Sequence, residues 1–369
     1  MNELCPTERL LMGPGPSNVG SRVLRAMSTP VIGHLDPEFS RITDDVCKML
    51  RELFRTGNRL TFPVSGTGSA GMEAAMVNTL EPGDTAVIGV NGVFGMRLAD
   101  TAARCGATVV SVDAPWGEPV DTGALIETLK KYPRAKICVV VHAETSTGAR
   151  QPLEELGAFL GNTPTLFVVD AVTSLGGLPV EVDAWRIDVC YSGTQKCLSV
   201  PPGLAPITFS DKAVASVNAR RTKVQSWYLD ITMLQKYWGS ERIYHHTAPI
   251  SMIYALYEGL RVIFEEGLEA RFKRHAEVGG ELGIGLTDLG FTWFAKEGYR
   301  LPQLNAVYPP APDTVESLRK KLLTEYSIEI GAGLGIVAGK IWRIGLMGET
   351  CKRASVAILL DALRRELRR

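Results

Sequence analysis

No sign of charge dominates this chain. Over 369 residues, 40 Lys and Arg face 40 Asp and Glu. Without a basic surplus there is no electrostatic footprint for nucleic acid or for an anionic membrane surface. No apolar run approaches the length of a membrane span, and the opening MNELCPTERLLMGPGPSN lacks the charged-then-apolar pattern of a secretory signal. The closing RRELRR is neither a retention nor a peroxisomal address, and reads as a basic helix end that complements the helix dipole. These absences set the expectation of a cytoplasmic protein. The seven cysteines (Cys5, Cys47, Cys105, Cys138, Cys190, Cys197 and Cys351) are odd in number and scattered, with no C-x-x-C or Cys/His spacing. That pattern argues against a zinc site and fits reduced thiols, with no metal expected. There is no repeat and no low-complexity segment. What remains is 45% hydrophobic and 22% charged, the composition of an enzyme or binding protein for small molecules, long enough for roughly two domains.

Apolar runs rich in Val and Ile recur along the first two thirds of the chain. Candidate strands are Leu60–Val64, Thr85–Val90, Thr108–Val112, Ile137–His142, Leu166–Val169, Ile187–Tyr191 and Ala205–Phe209. Amphipathic stretches, Gly68–Leu80, Gly95–Cys105 and Thr122–Lys131, lie between several of them. Near-continuous apolar strands alternating with helices indicate an α/β fold with a largely parallel sheet covered on both faces. Functional groups in such a sheet collect at the carboxyl ends of the strands. Ser251–Leu286 reads as a long helix with a glycine break that leaves the first domain. Beyond it, short strands (Phe291–Phe294, Leu304–Tyr308, Ile341–Gly345) and helices (Thr314–Glu325, Arg353–Arg368) predict a smaller α+β domain.

Gly66-Thr67-Gly68-Ser69-Ala70-Gly71 matches the dinucleotide fingerprint G-x-G-x-x-G. That reading also needs an acid at the end of the second strand for the ribose. The second strand ends at Asn91, and the nearest acid, Asp84, precedes it. A helix N-terminus with free N–H groups binds any phosphate, and Thr67 and Ser69 add hydroxyl donors. A single phosphomonoester fits the loop as well as a pyrophosphate does, and a tight strand–helix turn without a ligand accounts for it too.

FVVDAVTSLGG places Asp170 at the carboxyl end of an apolar strand, and DVCYSGTQKCLSVPPG places Lys196 just past the next one. An acid there is a helix cap or a site residue, and a lysine in a small-residue turn is commonly a solvated charge. Taken with a phosphate loop, the pair suggests a pyridoxal 5'-phosphate site. That cofactor needs a phosphate cup, a lysine for its aldehyde and an acid beside its pyridine nitrogen. The acid keeps the nitrogen protonated, and a lysine away from bulk water has the depressed pKa that proton transfer requires.

GPGPSN, SGTGSAGMEAA, HAETSTG, VVDAVTSLGG, SGTQKCLSVPPG, YHHTAP and GKIWRIGLMG, in that order along nearly the whole chain, resemble the class V aminotransferases, with the greatest likeness to the alanine–glyoxylate and serine–pyruvate branch. The resemblance implies a fold-type I transferase: an arm over 1–20, a large cofactor domain with a mainly parallel seven-stranded sheet over 21–265, and a small C-terminal α+β domain over 266–369. It implies that Lys196 joins the cofactor aldehyde and moves the proton, and that Asp170 partners the pyridine nitrogen. Thr67, Gly68 and Ser69 match the phosphate cup, helped by Gln195. Thr145 matches a hydroxyl near the ring oxygen and the substrate. Val172 lies under the ring, and Phe94 covers it where close relatives often carry Trp. Arg343 matches the arginine that takes the substrate carboxylate, a job suited to a planar two-pronged donor. Tyr244 and Thr247 match residues that reach the phosphate of a neighbouring subunit, so a homodimer with shared sites is implied. His245 and His246, being adjacent, should point apart on a strand or helix, which disfavours a metal pair.

The activity so implied moves the amino group of alanine or serine to glyoxylate, in two half-reactions. Ureidoglycine–glyoxylate transamination is the rival within the family, since MSTPVIGHLDPEF resembles that branch. A cysteine desulfurase needs a mobile Cys, and Cys351 is followed closely by the last helix. From another class, an NAD-dependent dehydrogenase rests on Gly66–Gly71 alone.

Overall fold

The computed structural model describes residues 3–367, so the Arg368 end expected for the last helix lies outside the described residues. Seven strands form the main sheet, in the spatial order Leu60–Ser65, Leu204–Phe209, Val189–Tyr191, Leu166–Asp170, Ile137–Val141, Thr85–Val90, Thr108–Asp113. Leu204–Phe209 runs antiparallel to both of its neighbours. The other pairings are parallel. The central strands are buried along their whole length, which is why they read as unbroken apolar runs.

This order decides how the glycine loop is used. A dinucleotide βαβ unit needs the strands before and after the loop helix side by side. Here Leu60–Ser65 sits at the sheet edge and pairs only with the antiparallel Leu204–Phe209, while Thr85–Val90 lies near the opposite edge. The fingerprint therefore opens a helix, Gly68–Thr79, without building a dinucleotide fold.

Two hydrophobic cores are separate. One runs from Val23 to Ile263 around the main sheet. The other gathers Val278 to Leu363 around a four-stranded antiparallel sheet, and takes in Met12 from the N-terminal arm. The arm is fastened there by Leu10–Leu11, which pairs in parallel with Ile328–Glu329. The long helix expected over 251–286 is two helices, Ile250–Glu266 and Leu268–Asp288, hinged at Gly267 with φ +83°, a backbone region that favours glycine. The helix Pro37–Phe54 was not expected, although Asp36 accepts from the Glu38 N–H and Pro37 stands at its first turn, both start signals. Among the described residues, no helix is long and apolar enough to cross a membrane.

Candidate active site

Four of the parallel strands deliver their carboxyl ends to one place. Asp170 ends its strand, and Thr145 lies a few residues past Val141. Phe94 lies in the first turn of the helix Val93–Arg104 that follows Val90. Lys196 follows the strand Val189–Tyr191 in a tight turn. A cavity of about 220 Å³ opens there and is lined by Lys196, Asp170, Thr145, Phe94, Val172 and Gln195. Gly68 and Ser69, at the start of the Gly68–Thr79 helix, border the same cavity. Residues far apart in the chain therefore share one space.

The lysine turn is pinned from two sides. Ser17 of the arm donates to the Lys196 carbonyl (2.9 Å), and Arg271 donates to the carbonyls of Cys197 (2.5 Å) and Gly176 (2.9 Å). Lys196 Nζ donates to the Pro14 carbonyl. Gly15 leaves room for that amine, since a Cβ there would lie 2.5 Å from Nζ. Burial first, and then the nearby Arg343 charge, push the Lys196 pKa down to about 8. A neutral amine is then accessible close to physiological pH.

Asp170 is 5% exposed. Burial raises its pKa, while hydrogen bonds from the Val172 N–H (2.8 Å) and the Tyr191 hydroxyl (2.8 Å) favour its anion, as do the charges of Lys196 and Arg97. Arg343, in the buried strand Trp342–Gly345, donates through Nε to the Ala332 carbonyl (2.6 Å) and through Nη1 to the Thr145 carbonyl (3.4 Å). Burial draws its pKa down to about 10, so it stays charged at neutral pH. Among the described residues it has no ion-pair partner. A buried cation without a carboxylate is costly unless an anion arrives to meet it.

The residues present fit pyridoxal phosphate on three counts. Thr67 caps the Gly68–Thr79 helix with no side-chain hydrogen bond, so the first N–H groups of that helix are left for an anion. The Gln195 side-chain oxygen is buried with no partner; turned about its last bond, the amide offers N–H donors to the same place. Asp170 presents a buried carboxylate to a cavity that also holds a lysine.

Tyr244 and Thr247 do not reach this cavity within the chain; both are exposed, Tyr244 by 58%. His245 and His246 lie outside strand and helix, and instead of pointing apart their Nδ1 atoms meet at 2.9 Å. His246 Nε2 lies 2.7 Å from Ser65 Oγ, so the pair braces the approach to the glycine loop. Cys351 is fully buried and its thiol pKa is pushed up to about 11, which deprives it of the thiolate a desulfurase needs.

Sequence reasoning missed Arg97, Tyr191 and Glu144. The Arg97 guanidinium stacks 4.9 Å from the Phe94 ring centre at the cavity wall. Glu144 is fully buried, and Oε2 accepts from the Phe94 and Gly95 N–H groups (3.1 and 3.2 Å). Its Oε1 accepts from the N–H and hydroxyl of Ser146 (2.9 and 2.6 Å), and Ser146 Oγ accepts from the Val93 N–H (2.9 Å). Glu144 thus caps a helix whose own cap, Gly92, has no side chain, and so sets Phe94 in place. A Cβ at Gly92 would lie 2.5 Å from the Glu144 side chain. The signal available was an acid amid uncharged residues after a buried strand, the same signal that marks Asp170. Glu144→Ala leaves these donors unpaired in the interior; it is expected to lower the unfolding free energy by about 3 kcal/mol or more, read by denaturant titration.

The class-V aminotransferase family pattern matches residues 17–362. The chain is 42% identical over 380 residues to the (S)-ureidoglycine–glyoxylate transaminase of Bacillus subtilis, covering 98% of this chain and 91% of that protein. It is 41% identical over 364 residues to the alanine–glyoxylate aminotransferase of Rattus norvegicus, covering 98% and 88%. Among solved structures, the alanine–glyoxylate aminotransferase of Nostoc sp. superposes with a TM-score of 0.97 at 47% identity, over 100% of this chain and 97% of that one.

Proposed function

Because the chain belongs to the class-V aminotransferases, and is thus a pyridoxal-phosphate-dependent enzyme, we propose that it moves the amino group of alanine or serine to glyoxylate, giving glycine and a 2-oxo acid. The observation that carries this reading is the buried Arg343 guanidinium, without a carboxylate of its own among the described residues, next to a cavity shared by a lysine and an aspartate. Amino donor and oxo acceptor each bring a carboxylate to that arginine.

The bound cofactor supplies an aldehyde for the donor amine and a ring that takes up the electron pair released at Cα. The chain's residues do the rest. Lys196 Nζ, whose pKa is drawn down to about 8, would serve as the base that takes the proton from the donor Cα and as the acid that returns it. Asp170 holds the proton at the ring nitrogen. Arg343 orients the carboxylate through two parallel N–H groups. Phe94 and Val172, both at the cavity wall, would hold the ring between them. Thr67, Gly68, Ser69 and Gln195 bind the phosphate, and Thr145 supplies a hydroxyl beside the substrate.

The phosphate site is completed by Tyr244 and Thr247 of a second copy. Their exposure supports this, as do exposed apolar side chains beside them: Ile243, next to Tyr244 in the chain, and Trp227, which stacks on His245. Light scattering is expected to give twice the chain mass in solution; a monomer that is fully active would contradict the shared site.

A donor panel tests the reaction. Alanine, serine and ureidoglycine are each supplied with glyoxylate, and glycine formation is measured. The largest kcat/KM is expected with alanine or serine. A dominant rate with ureidoglycine, the donor in the name of the Bacillus subtilis relative, would move the assignment to that reaction. One hydroxyl separates alanine from serine, a difference a pocket resolves poorly without a dedicated partner.

A further inference from the structure

Tyr191 is fully buried, yet its hydroxyl donates to Asp170 Oδ2 at 2.8 Å, and its ring borders the cavity. Sheet register puts it there. Val189–Tyr191 runs parallel to Leu166–Asp170, and Tyr191 is the residue directly opposite Asp170. The same register places Val141 on the other side of Asp170, so no second polar side chain meets it from within the sheet. The other donor to this carboxylate is the Val172 N–H on Oδ1. The charged groups that act on it are Lys196 and Arg97, with Glu144 bearing on it from beyond the neighbouring strand.

The Tyr191 ring has a second neighbour. A Cβ at Gly71 would lie 3.3 Å from Tyr191 Cβ, 3.4 Å from Cδ2 and 3.0 Å from Ala205 Cβ. Gly71 is the third glycine of the fingerprint and lies in the helix that begins at the phosphate loop. Its missing side chain lets that helix settle on the tyrosine.

We propose that Tyr191 is a positioning residue of the reaction: its hydroxyl holds the Asp170 carboxylate in place, and its ring, seated against Gly71, ties that carboxylate to the helix that carries the phosphate loop. One side chain then sets the spacing between the two ends of the cofactor site, the ring acid and the phosphate cup. The proposal rests on Asp170 being the partner of the ring nitrogen. A proton shared between a carboxylate and a pyridine nitrogen stays on the nitrogen while the carboxylate keeps its donors. Withdrawing the tyrosine hydroxyl shifts that proton toward Asp170 and leaves the ring a poorer electron acceptor.

Tyr191→Phe keeps the ring on Gly71 and removes only the hydroxyl. With the holoenzyme, kcat/KM is expected to fall roughly tenfold to a hundredfold, the range for a lost hydrogen bond to a charged group. Nitrogen-15 NMR of bound cofactor labelled at the ring nitrogen is expected to move toward the neutral pyridine position, a change a purely structural tyrosine would not produce. Asp170→Asn separates this proposal from its premise. The double variant is expected to match Asp170→Asn alone, because Tyr191 acts through that carboxylate. If Asp170→Asn perturbs the ring nitrogen and Tyr191→Phe does not, the role of Tyr191 is overturned and the ring acid stands. If Asp170→Asn leaves the ring nitrogen and turnover unchanged, the premise fails and the proposal with it. Additive losses in the double variant also overturn it.

Discussion

Lys196→Ala is expected to abolish turnover, by at least about a thousandfold, while the protein stays folded by circular dichroism. The variant removes both the group that joins the cofactor aldehyde and the base that moves the Cα proton, and such groups are worth orders of magnitude in rate. The fold should tolerate the change, because the turn around residue 196 is held by its backbone. Ser17 and Arg271 grip the carbonyls of Lys196 and Cys197, and neither contact needs the lysine side chain. Activity near the wild-type level would remove the mechanism. A pH experiment probes the same amine from the opposite direction. Its folded pKa is about 8 against an ordinary 10.5. Between those values the unfolded chain holds a proton that the folded chain lacks, so this group's contribution to stability rises with pH across that window, and its burial cost is full below it. Protein stripped of cofactor should accordingly capture pyridoxal phosphate faster as pH rises, with a midpoint near 8. A midpoint near 10.5 would mean that the amine is not desolvated.

Arg343→Ala is expected to cost about a hundredfold in kcat/KM, mostly through KM, for the amino donor and for glyoxylate alike. Both substrates carry the same carboxylate, so both half-reactions lose the same charge-assisted pair. The guanidinium is held ready by the Ala332 and Thr145 carbonyls and by a strand that is buried throughout. Arg343→Lys should rescue little, since an ammonium offers a point charge where a planar fork is needed. Separate steady-state series with each substrate decide the matter. An effect confined to one substrate would assign Arg343 to side-chain recognition instead of carboxylate binding.

Asp170 and Lys196 were legible in the chain itself. Each is a charged residue set among apolar or small neighbours just past a buried strand, and in a parallel sheet that position faces the site. A glycine break within 251–286 was legible, but that it falls at Gly267, and not at one of the other glycines of the stretch, was decided by the fold. The helix Pro37–Phe54 carried its start signals openly and was still missed. The role of Glu144, within HAETSTG, was not legible, because its partners, Phe94 and Gly95, lie on a different βα unit. The meeting of His245 and His246 escaped a rule that holds for regular elements, since they lie in neither strand nor helix.

From the amino-acid order alone came the α/β class, the short strands and helices after residue 290, and the lysine and aspartate that share the cavity. Those follow from periodicity and from local chemistry, which depend on near neighbours in the chain. Tertiary structure decided the rest. Strand order barred the glycine loop from a dinucleotide fold, and register set Tyr191 beside Asp170. Folding also brought Arg343, from a different sheet and core, to the wall where Thr145 and Lys196 lie. Contacts between residues far apart in sequence are set by how sheets order and pack, and no stretch of sequence carries that order by itself.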